Sequence, residues 1–64
     1  MKKAVLNVDH EIYLRLDYKL IFKKGKEVTI IREGEKSEVE CEVGDFTFVR
    51  FEIYSKFLDV HYDL

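Results

Sequence analysis

The sequence contains no tryptophan and no proline, and Cys41 is its only cysteine. One cysteine excludes a disulfide within the chain and a zinc site built from several cysteines. At a core-facing strand position, we expect Cys41 to behave as a small apolar side chain rather than as a nucleophile. The 64 residues provide one hydrophobic core, so we expect a single domain over residues 1–64. So small a scaffold disfavours a catalytic pocket, and we expect a non-enzymatic protein.

The sequence also lacks an excess of positive charge and any long apolar run. Lys and Arg number 11 against 13 Asp and Glu, which gives a formal net charge of −2. Proteins that wrap nucleic acid gain much of their affinity by neutralising phosphates, so this balance argues against such a role. The apolar residues 4–6 are soon followed by Asn7 and Asp9, which predicts neither a signal sequence nor a membrane span. We therefore expect a cytoplasmic protein without membrane contact.

Alternation of apolar and polar residues, which is typical of β-strands, runs through most of the chain. It is strict over residues 11–18 and again over residues 37–43, and the β-branched run at 28–31 also favours a strand. The residues that this alternation directs to the core are Ile12, Leu14, Leu16, Tyr18, Leu20, Phe22, Val28, Ile30, Val39, Cys41 and Val43.

Turns and one helical segment separate these strands. Turns are predicted at residues 23–25, 33–37 and 44–45, and a further strand begins at Phe46. Phe51, Tyr54 and Leu58 are spaced by three and four, which predicts one short helical turn near residues 52–56. Residues 58–62 alternate again as a last strand. The pattern predicts an all-β domain, a partly open antiparallel barrel of five to six short strands.

Residues 19–31, KLIFKKGKEVTII, resemble the signature of Src-homology-3-like small barrels, with bacterial members the most similar. In that superfamily an apolar pair precedes a basic dipeptide and a glycine, and an alternating strand follows. The resemblance implies a first strand at residues 4–8, a long first loop at 9–19, and a fourth strand, helical turn and closing strand within 46–60. The matching residues are Leu20, Phe22, Gly25, Val28, Ile30 and Ile31.

The sequence departs from the members of that superfamily that bind peptides. Members that hold proline-rich peptides use an aromatic groove that includes a tryptophan, which this chain lacks. The proline before their helical turn is also missing, because Val49 is followed by Arg50. Members that bind cell-wall peptides are exported modules attached to an enzyme, and neither feature is expected here. The resemblance therefore implies the fold but neither ligand.

Three glutamates on one face of a predicted strand form the main candidate site. Because charge of one sign steers association with a partner of the other sign, we predict a small interaction module that binds a protein partner of basic character. A well-solvated outer face explains the same pattern without a partner. The lysine- and glutamate-rich composition suggests a bacterial or phage accessory protein. The predicted partner-binding residues are Glu27, Ile31, Glu33, Glu38, Glu40 and Glu42.

Nucleic-acid binding through a basic turn and exposed aromatic rings is the alternative prediction. A run of lysines surrounds Gly25, although aromatic residues for base stacking are absent from the turn itself. The residues of this alternative site are Lys23, Lys24, Lys26, Arg32, Tyr13 and Tyr54.

Histidine and carboxylates occur together near both ends of the chain. Asp59, His61 and Asp63 share a strand face, and residues 9–11 read Asp-His-Glu. Ligands two apart on one strand seldom converge on one ion without help from another element, so we predict no metal and no cofactor.

Two predicted strand edges are rich in Phe and Tyr. They are residues 58–62 and the strand after Gly44. An unpaired edge can add a strand from another chain, so a homodimer through one of these edges is a further hypothesis.

Overall fold

A five-stranded antiparallel sheet and a separate two-stranded hairpin make up the fold, which confirms the all-β prediction. The computed structural model describes residues 2–62, with side chains to residue 60. Within this range lie seven strands and one 3₁₀ turn at Ser55–Phe57. The strands are β1 Lys2–Leu6, β2 His10–Arg15, β3 Tyr18–Phe22, β4 Glu27–Arg32, β5 Lys36–Gly44, β6 Thr47–Tyr54 and β7 Leu58–Tyr62.

The large sheet has the order β6-β5-β4-β1-β7, and β2 pairs with β3. The first strand thus lies between β4 and β7, with Ala4 opposite both Val28 and Val60. The prediction of five or six strands is too low, because the alternating segment at residues 11–18 is not one extended strand. The chain reverses at Leu16 and Asp17, and Arg15 pairs with Tyr18.

The core lies on the inner face of the large sheet. Val28, Ile30, Val39 and Cys41 are buried as the alternation predicts. The buried apolar set is Ala4, Leu6, Phe22, Val28, Ile30, Val39, Cys41, Ile53 and Leu58, with Ile12, Leu20, Phe51 and Phe57 packed partly against it. This set fills one small core.

Four residues predicted to face the core lie outside it. Leu14, Leu16 and Tyr18 are exposed at the end of the β2–β3 hairpin, which extends beyond the core. Val43 is 37% exposed, because the register of β5 against β6 shifts between Glu42 and Gly44 and interrupts the alternation. The alternation of the sequence alone does not show where a hairpin extends beyond the core. It also does not show where a bulge changes which side chains face the core.

The turn at Gly25 forms as predicted. Gly25 has a φ of 95°, a conformation that other residues adopt only with strain. Its N–H donates to the Leu6 carbonyl at 2.8 Å, and the Leu6 N–H donates to the Lys26 carbonyl at 3.0 Å. These bonds tie the turn to the end of β1, which runs over Lys2–Leu6 rather than over the predicted residues 4–8.

The helical turn predicted near residues 52–56 begins later, at Ser55. Pairing of Tyr54 with Lys36 keeps β6 extended to its last residue. The Ser55 N–H then donates to the Glu35 carbonyl at 2.9 Å, and its hydroxyl donates to the Gly34 carbonyl. The buried Ser37 hydroxyl lies 2.6 Å from the Ser55 hydroxyl, so the β4–β5 loop and the 3₁₀ turn hold one another. The last strand has its predicted bounds, Leu58–Tyr62.

A stack of three rings attaches the hairpin to the large sheet. Phe51 of β6 stacks on Phe22 of β3 with ring centroids 5.4 Å apart. The ring of His10 in β2 stacks on Phe51 at 5.2 Å. Since His10 pairs with Phe22 at the base of the hairpin, the attachment is made at the end farthest from the Leu16–Asp17 turn.

Truncation of Val39 and of Val43 to alanine should lower the free energy of unfolding by different amounts, because only Val39 is fully buried. Val39 is fully buried, so Val39→Ala should lower the free energy of unfolding by about 1 to 3 kcal/mol. Val43→Ala should cost less than about 1 kcal/mol, since Val43 is partly exposed. Urea unfolding of both variants measures the difference, and equal losses would contradict the bulge.

Candidate interaction surfaces

The predicted acidic face lies on the outer side of the large sheet. Glu38 and Glu40 alternate with the buried Val39 and Cys41, and both are half-buried. Glu42 follows on the same strand and is exposed. The glutamates therefore point away from the core as the sequence predicts.

Cations compensate part of this acidic face. Arg50 lies opposite Glu40 on β6, and its Nε donates to the Glu40 carboxylate at 3.0 Å. The Glu27 carboxylate lies 3.7 Å from the Lys3 ammonium. Glu33 lies beyond the end of β4, where its carboxylate accepts a bond of 2.8 Å from Lys2. The outer surface is thus a mixed-charge surface, on which three of the predicted glutamates have ion-pair partners.

The other predicted residues of this face have different neighbours. Glu38 pairs with Arg32 on one side and with Glu52 on the other, so it faces one opposite and one like charge. Glu42 pairs with the aromatic Phe48. Ile31, at the register shift of β4, is 43% exposed. The side chains of the neighbouring strands make this surface less acidic than the sequence of β5 alone indicates.

The lysine turn borders an open groove between the end of β3 and the β5–β6 turn. Lys23, Lys24 and Lys26 line one side. Asp9 holds the turn, because its carboxylate accepts a bond of 2.8 Å from the Lys24 N–H and lies 3.8 Å from the Lys23 ammonium. The remaining lining residues, which include two carboxylates, are Leu20, Ile21, Phe22, Glu42, Val43, Gly44 and Asp45.

The other residues predicted for nucleic-acid binding lie apart from the lysine turn. Tyr54 ends β6, seven residues from the Thr47 end beside the groove, a span of roughly 23 Å in a strand. Its ring lies 5.0 Å from the Lys36 ammonium instead. Tyr13 pairs with Lys19 on the hairpin, and Arg32 ends β4. The six residues do not form one surface.

The end of the β2–β3 hairpin carries the most exposed group of apolar side chains on a single element. We call Tyr13, Leu14, Leu16 and Tyr18 the hairpin surface. Leu16 is fully exposed and Tyr13 is 68% exposed, while Leu14 and Tyr18 are each about half exposed. The prediction assigned three of these residues to the core. The signal in the sequence was that Tyr13 and Leu14 put large side chains on both faces of the segment, whereas one small core can bury only one face.

A second exposed aromatic residue lies at the β5–β6 turn. Phe46 was predicted to begin a strand, but it occupies the turn between Gly44 and Thr47. It is 94% exposed, and its φ of 57° is in the left-handed region that residues with a Cβ disfavour. The exposed ring and the strained backbone of Phe46 both lower the stability of the fold. Stability therefore does not explain a phenylalanine at this position.

The described residues contain no group of three or more His, Cys, Asp or Glu side chains that could hold a metal ion. Two of the residues considered as metal ligands in the sequence cannot be described: Asp63 lies outside the described residues, and so does the side chain of His61. Burial raises the pKa of the Cys41 thiol, Lys26 lowers it and Glu42 raises it, so the buried thiol is protonated at neutral pH. Over residues 2–62, no helix has the length and apolar character needed to cross a membrane.

No protein-family model, curated protein or solved structure matches this chain. Functional inference therefore depends on the surfaces themselves.

Relief of the strain at Phe46 should stabilise the fold. Asn tolerates the left-handed conformation better than Phe, and Phe46 is nearly fully exposed, so Phe46→Asn should raise the free energy of unfolding by about 0.5 to 1 kcal/mol. Leu16→Asn is the matched control, because Leu16 is also an exposed turn residue but does not have a positive φ. It should bring no gain in urea unfolding. Equal effects of the two changes would remove the strain argument.

Neutralisation of single glutamates should distinguish the paired from the unpaired positions on β5. Glu40→Gln loses its charge-assisted bond with the exposed Arg50 and should cost about 0.2 to 1 kcal/mol. Glu42→Gln, opposite Phe48, should change the free energy of unfolding by less than about 0.5 kcal/mol. The cost at Glu40 should shrink in 1 M NaCl. A cost that is independent of salt would show that packing, not the ion pair, is lost.

Proposed function

We propose that this chain is a small interaction module that binds another protein chain through the hairpin surface. The observation that carries the proposal is the exposure of Tyr13, Leu14, Leu16 and Tyr18 together at the end of one element. Exposed apolar side chains that occur singly are ordinary, whereas four within residues 13–18 of one hairpin are a concentration that favours an interaction site. Tyrosine suits such a site, since it provides a large contact area with few rotatable bonds.

The construction of the hairpin supports the proposal. A two-stranded hairpin alone is marginally stable in water, and this one is attached at its base by the stack of His10, Phe51 and Phe22. Favoured two-residue hairpin turns need a positive φ, and Phe46 is the sole non-glycine residue with one in the described part of the chain. The Leu16–Asp17 turn is therefore not of a favoured type, and the pairing of β2 with β3 also shifts register between Tyr13 and Arg15. A partner that covers the hairpin surface would supply the missing contacts.

The Src-homology-3-like assignment remains part of this proposal. It is supported by a turn at Gly25 and a 3₁₀ turn directly before the closing strand, in the order that the resemblance implies. Residues 9–19, for which the resemblance implies a long loop, instead form most of the β2–β3 hairpin. The assignment concerns the fold and adds no ligand. Three further predictions stay predictions: a non-enzymatic role, from the short length, a cytoplasmic location, from the lack of a long apolar run, and a bacterial or phage source, from composition.

The acidic face is a weaker candidate for a basic partner. Glu27, Glu33 and Glu40 already have cationic partners within the chain. A basic partner would have to compete with Lys3, Lys2 and Arg50 at these positions. Electrostatic steering by the face remains compatible with the net charge of −2, but steering does not specify a partner.

Single-stranded nucleic acid is the second candidate, and the lysine groove is the observation that favours it. Lys23, Lys24 and Lys26 line one groove, and its other side ends at the turn that carries the exposed Phe46. Lysines that follow a backbone and rings that stack on bases are the two parts of such sites. Two carboxylates in the groove and the ion pair of Lys23 with Asp9 oppose this function.

Pull-down with four forms of the tagged full chain tests the proposal. The forms are the parent, the Tyr13→Ser and Leu16→Ser double variant, the Glu38, Glu40 and Glu42→Gln triple variant, and the Lys23, Lys24 and Lys26→Ala triple variant. Lysates are used with and without nuclease. Because the serine substitutions replace exposed side chains, their circular dichroism spectrum should match that of the parent. A specific protein should be captured after nuclease treatment by every form except the double serine variant.

Other outcomes would overturn the proposal in distinct ways. Loss of capture only in the glutamine variant would assign the site to the acidic face. Loss of capture after nuclease treatment, together with loss of capture by the lysine variant, would identify nucleic acid as the ligand. Equal capture by all four forms would exclude all three surfaces.

A further inference from the structure

We propose that β6 pairs with the β6 strand of a second copy of this chain, antiparallel and about a two-fold axis at Phe51. The contact joins the two large sheets edge to edge, by strand addition. Closed two-fold dimers are the commonest assemblies of soluble proteins, and they require a surface that is complementary to itself. This inference concerns a second surface and does not rest on the hairpin surface.

β6 is a regular strand at the outer side of the large sheet. Its pairing with β5 keeps one register from Phe48 to Tyr54, and the register shift of β5 lies beyond this stretch, between Glu42 and Gly44. In the part of the chain that the structure describes, no strand pairs with the other side of β6. The residue order of β6 therefore gives the order of positions along an unpaired edge.

The outer edge of β6 presents backbone groups that have no partner strand. Along a strand, the N–H and C=O of one residue point to one side, and those of the next residue point to the other side. The Ser55 N–H points toward the β5 side, because it donates to the Glu35 carbonyl at 2.9 Å. Alternation back along the strand then directs the backbone groups of Ile53, Phe51 and Val49 to β5. The residues whose backbone groups face the outer edge are Phe48, Arg50, Glu52 and Tyr54.

The side chains of β6 pair favourably with a second β6 in this register. With the axis at Phe51, Arg50 of each copy lies opposite Glu52 of the other copy, so the dimer gains two pairs of opposite charge. Aromatic, aliphatic and opposite-charge pairs all stabilise antiparallel strands. The remaining cross-strand pairs are apolar and are Phe48 with Tyr54, Val49 with Ile53, and Phe51 with Phe51 of the other copy.

Charge selects this register over the neighbouring ones. An axis at Arg50 would set two arginines directly opposite each other, and an axis at Glu52 would do the same with two glutamates. Like charges directly opposite destabilise a strand pair. A slip of the pairing by one residue would set side chains of the inner face opposite those of the outer face. The axis at Phe51 avoids all three conflicts.

Glu52 is the residue that points to a second copy as the occupant. It is exposed and lies opposite Glu38 of β5, which is a like charge. Among the described residues, no cation forms an ion pair with its carboxylate. Arg50 bonds to Glu40 through Nε alone, so the other N–H groups of its guanidinium can reach a second carboxylate. A different chain meets these requirements only if it carries an arginine and a glutamate at the matching spacing, whereas a second copy always does.

The length of the edge predicts a weak dimer. Strand addition gains its affinity from main-chain hydrogen bonds, and a strand of 8 residues provides few of them. Stable complexes bury about 800 Å² per partner, and smaller contacts are transient. We therefore expect a Kd in the micromolar range.

Amide hydrogen exchange measured by NMR tests the edge without a change of sequence. The N–H groups of Arg50 and Glu52 should exchange at least about threefold more slowly at about 1 mM protein than at about 10 μM, because dimerisation pairs them. The N–H of Leu16, at the hairpin turn, is the internal control and should exchange at the same rate at both concentrations. Exchange at Arg50 and Glu52 that does not depend on concentration would overturn the inference.

Sedimentation velocity of two complementary charge variants tests the two-fold register. Glu52→Arg sets cations opposite one another across the axis and Arg50→Glu sets carboxylates opposite one another, so each should weaken dimerisation by at least about tenfold. An equal mixture of the two variants restores both opposite-charge pairs and should dimerise to within about threefold of the parent affinity. A mixture that stays monomeric while the parent dimerises would overturn the register.

Two controls separate the contact from folding and from net charge. Glu52→Arg replaces the like-charge pair with Glu38 by an opposite-charge pair, so urea unfolding should show a monomer at least as stable as the parent. Loss of the dimer in this variant is therefore not a loss of the fold. Glu35→Arg makes the same change of charge at an exposed loop residue and should leave the dimer unchanged.

Other outcomes would overturn the inference and leave the proposed function to its own test. A parent chain that stays monomeric at about 1 mM excludes the second copy as occupant. Association that is lost in Leu16→Ser but kept in Glu52→Arg places the interface at the hairpin surface. Protection of the Arg50 and Glu52 amides that appears only after a different, captured protein is added assigns the edge to a strand of that protein. Assemblies that grow beyond a dimer exclude a closed two-fold contact.

Discussion

The stack of Phe22, Phe51 and His10 is the contact on which the arrangement of the two sheets depends. Phe51 is partly buried at the inner side of β6, and its ring meets one residue from each strand of the hairpin. A chain of 64 residues can fill one small core, so no further side chains are left to cover the far end of the hairpin. The small size of the core therefore explains both why the hairpin is anchored only at its base and why its far end is exposed.

Much of the fold could be predicted because the alternation and the core agree. Val28, Ile30, Val39 and Cys41 lie in central strands of a sheet with one buried face, where a period of two has a direct physical meaning. Gly25 marked a turn because other residues adopt its backbone conformation only with strain. β6 and β7 are the outermost strands of the large sheet, as predicted, while dimerisation through either edge remains untested.

Prediction failed where no local chemistry marks the change. Asp17 is the one turn-favouring residue at Leu16–Asp17, and because it also fits the polar side of the alternation, the strand pattern continues through the turn. The shift of register after Glu42 depends on how β5 pairs with β6, which alternation along β5 does not contain. The neutralisation of the acidic face has the same origin, since Arg50 is ten residues from Glu40 and becomes its neighbour only through the pairing of the strands.

The proposed function depends on residues that oppose folding. A domain of this size has little stability to spare, yet it places Leu16 in water and holds Phe46 in a left-handed conformation. Serine or asparagine at these positions would keep the chain more soluble and less strained. Conflicts between local preference and the observed fold concentrate at functional sites, because binding is the gain that offsets them. This argument supports the end of the β2–β3 hairpin, rather than the compensated glutamates between the strands, as the proposed partner-binding site.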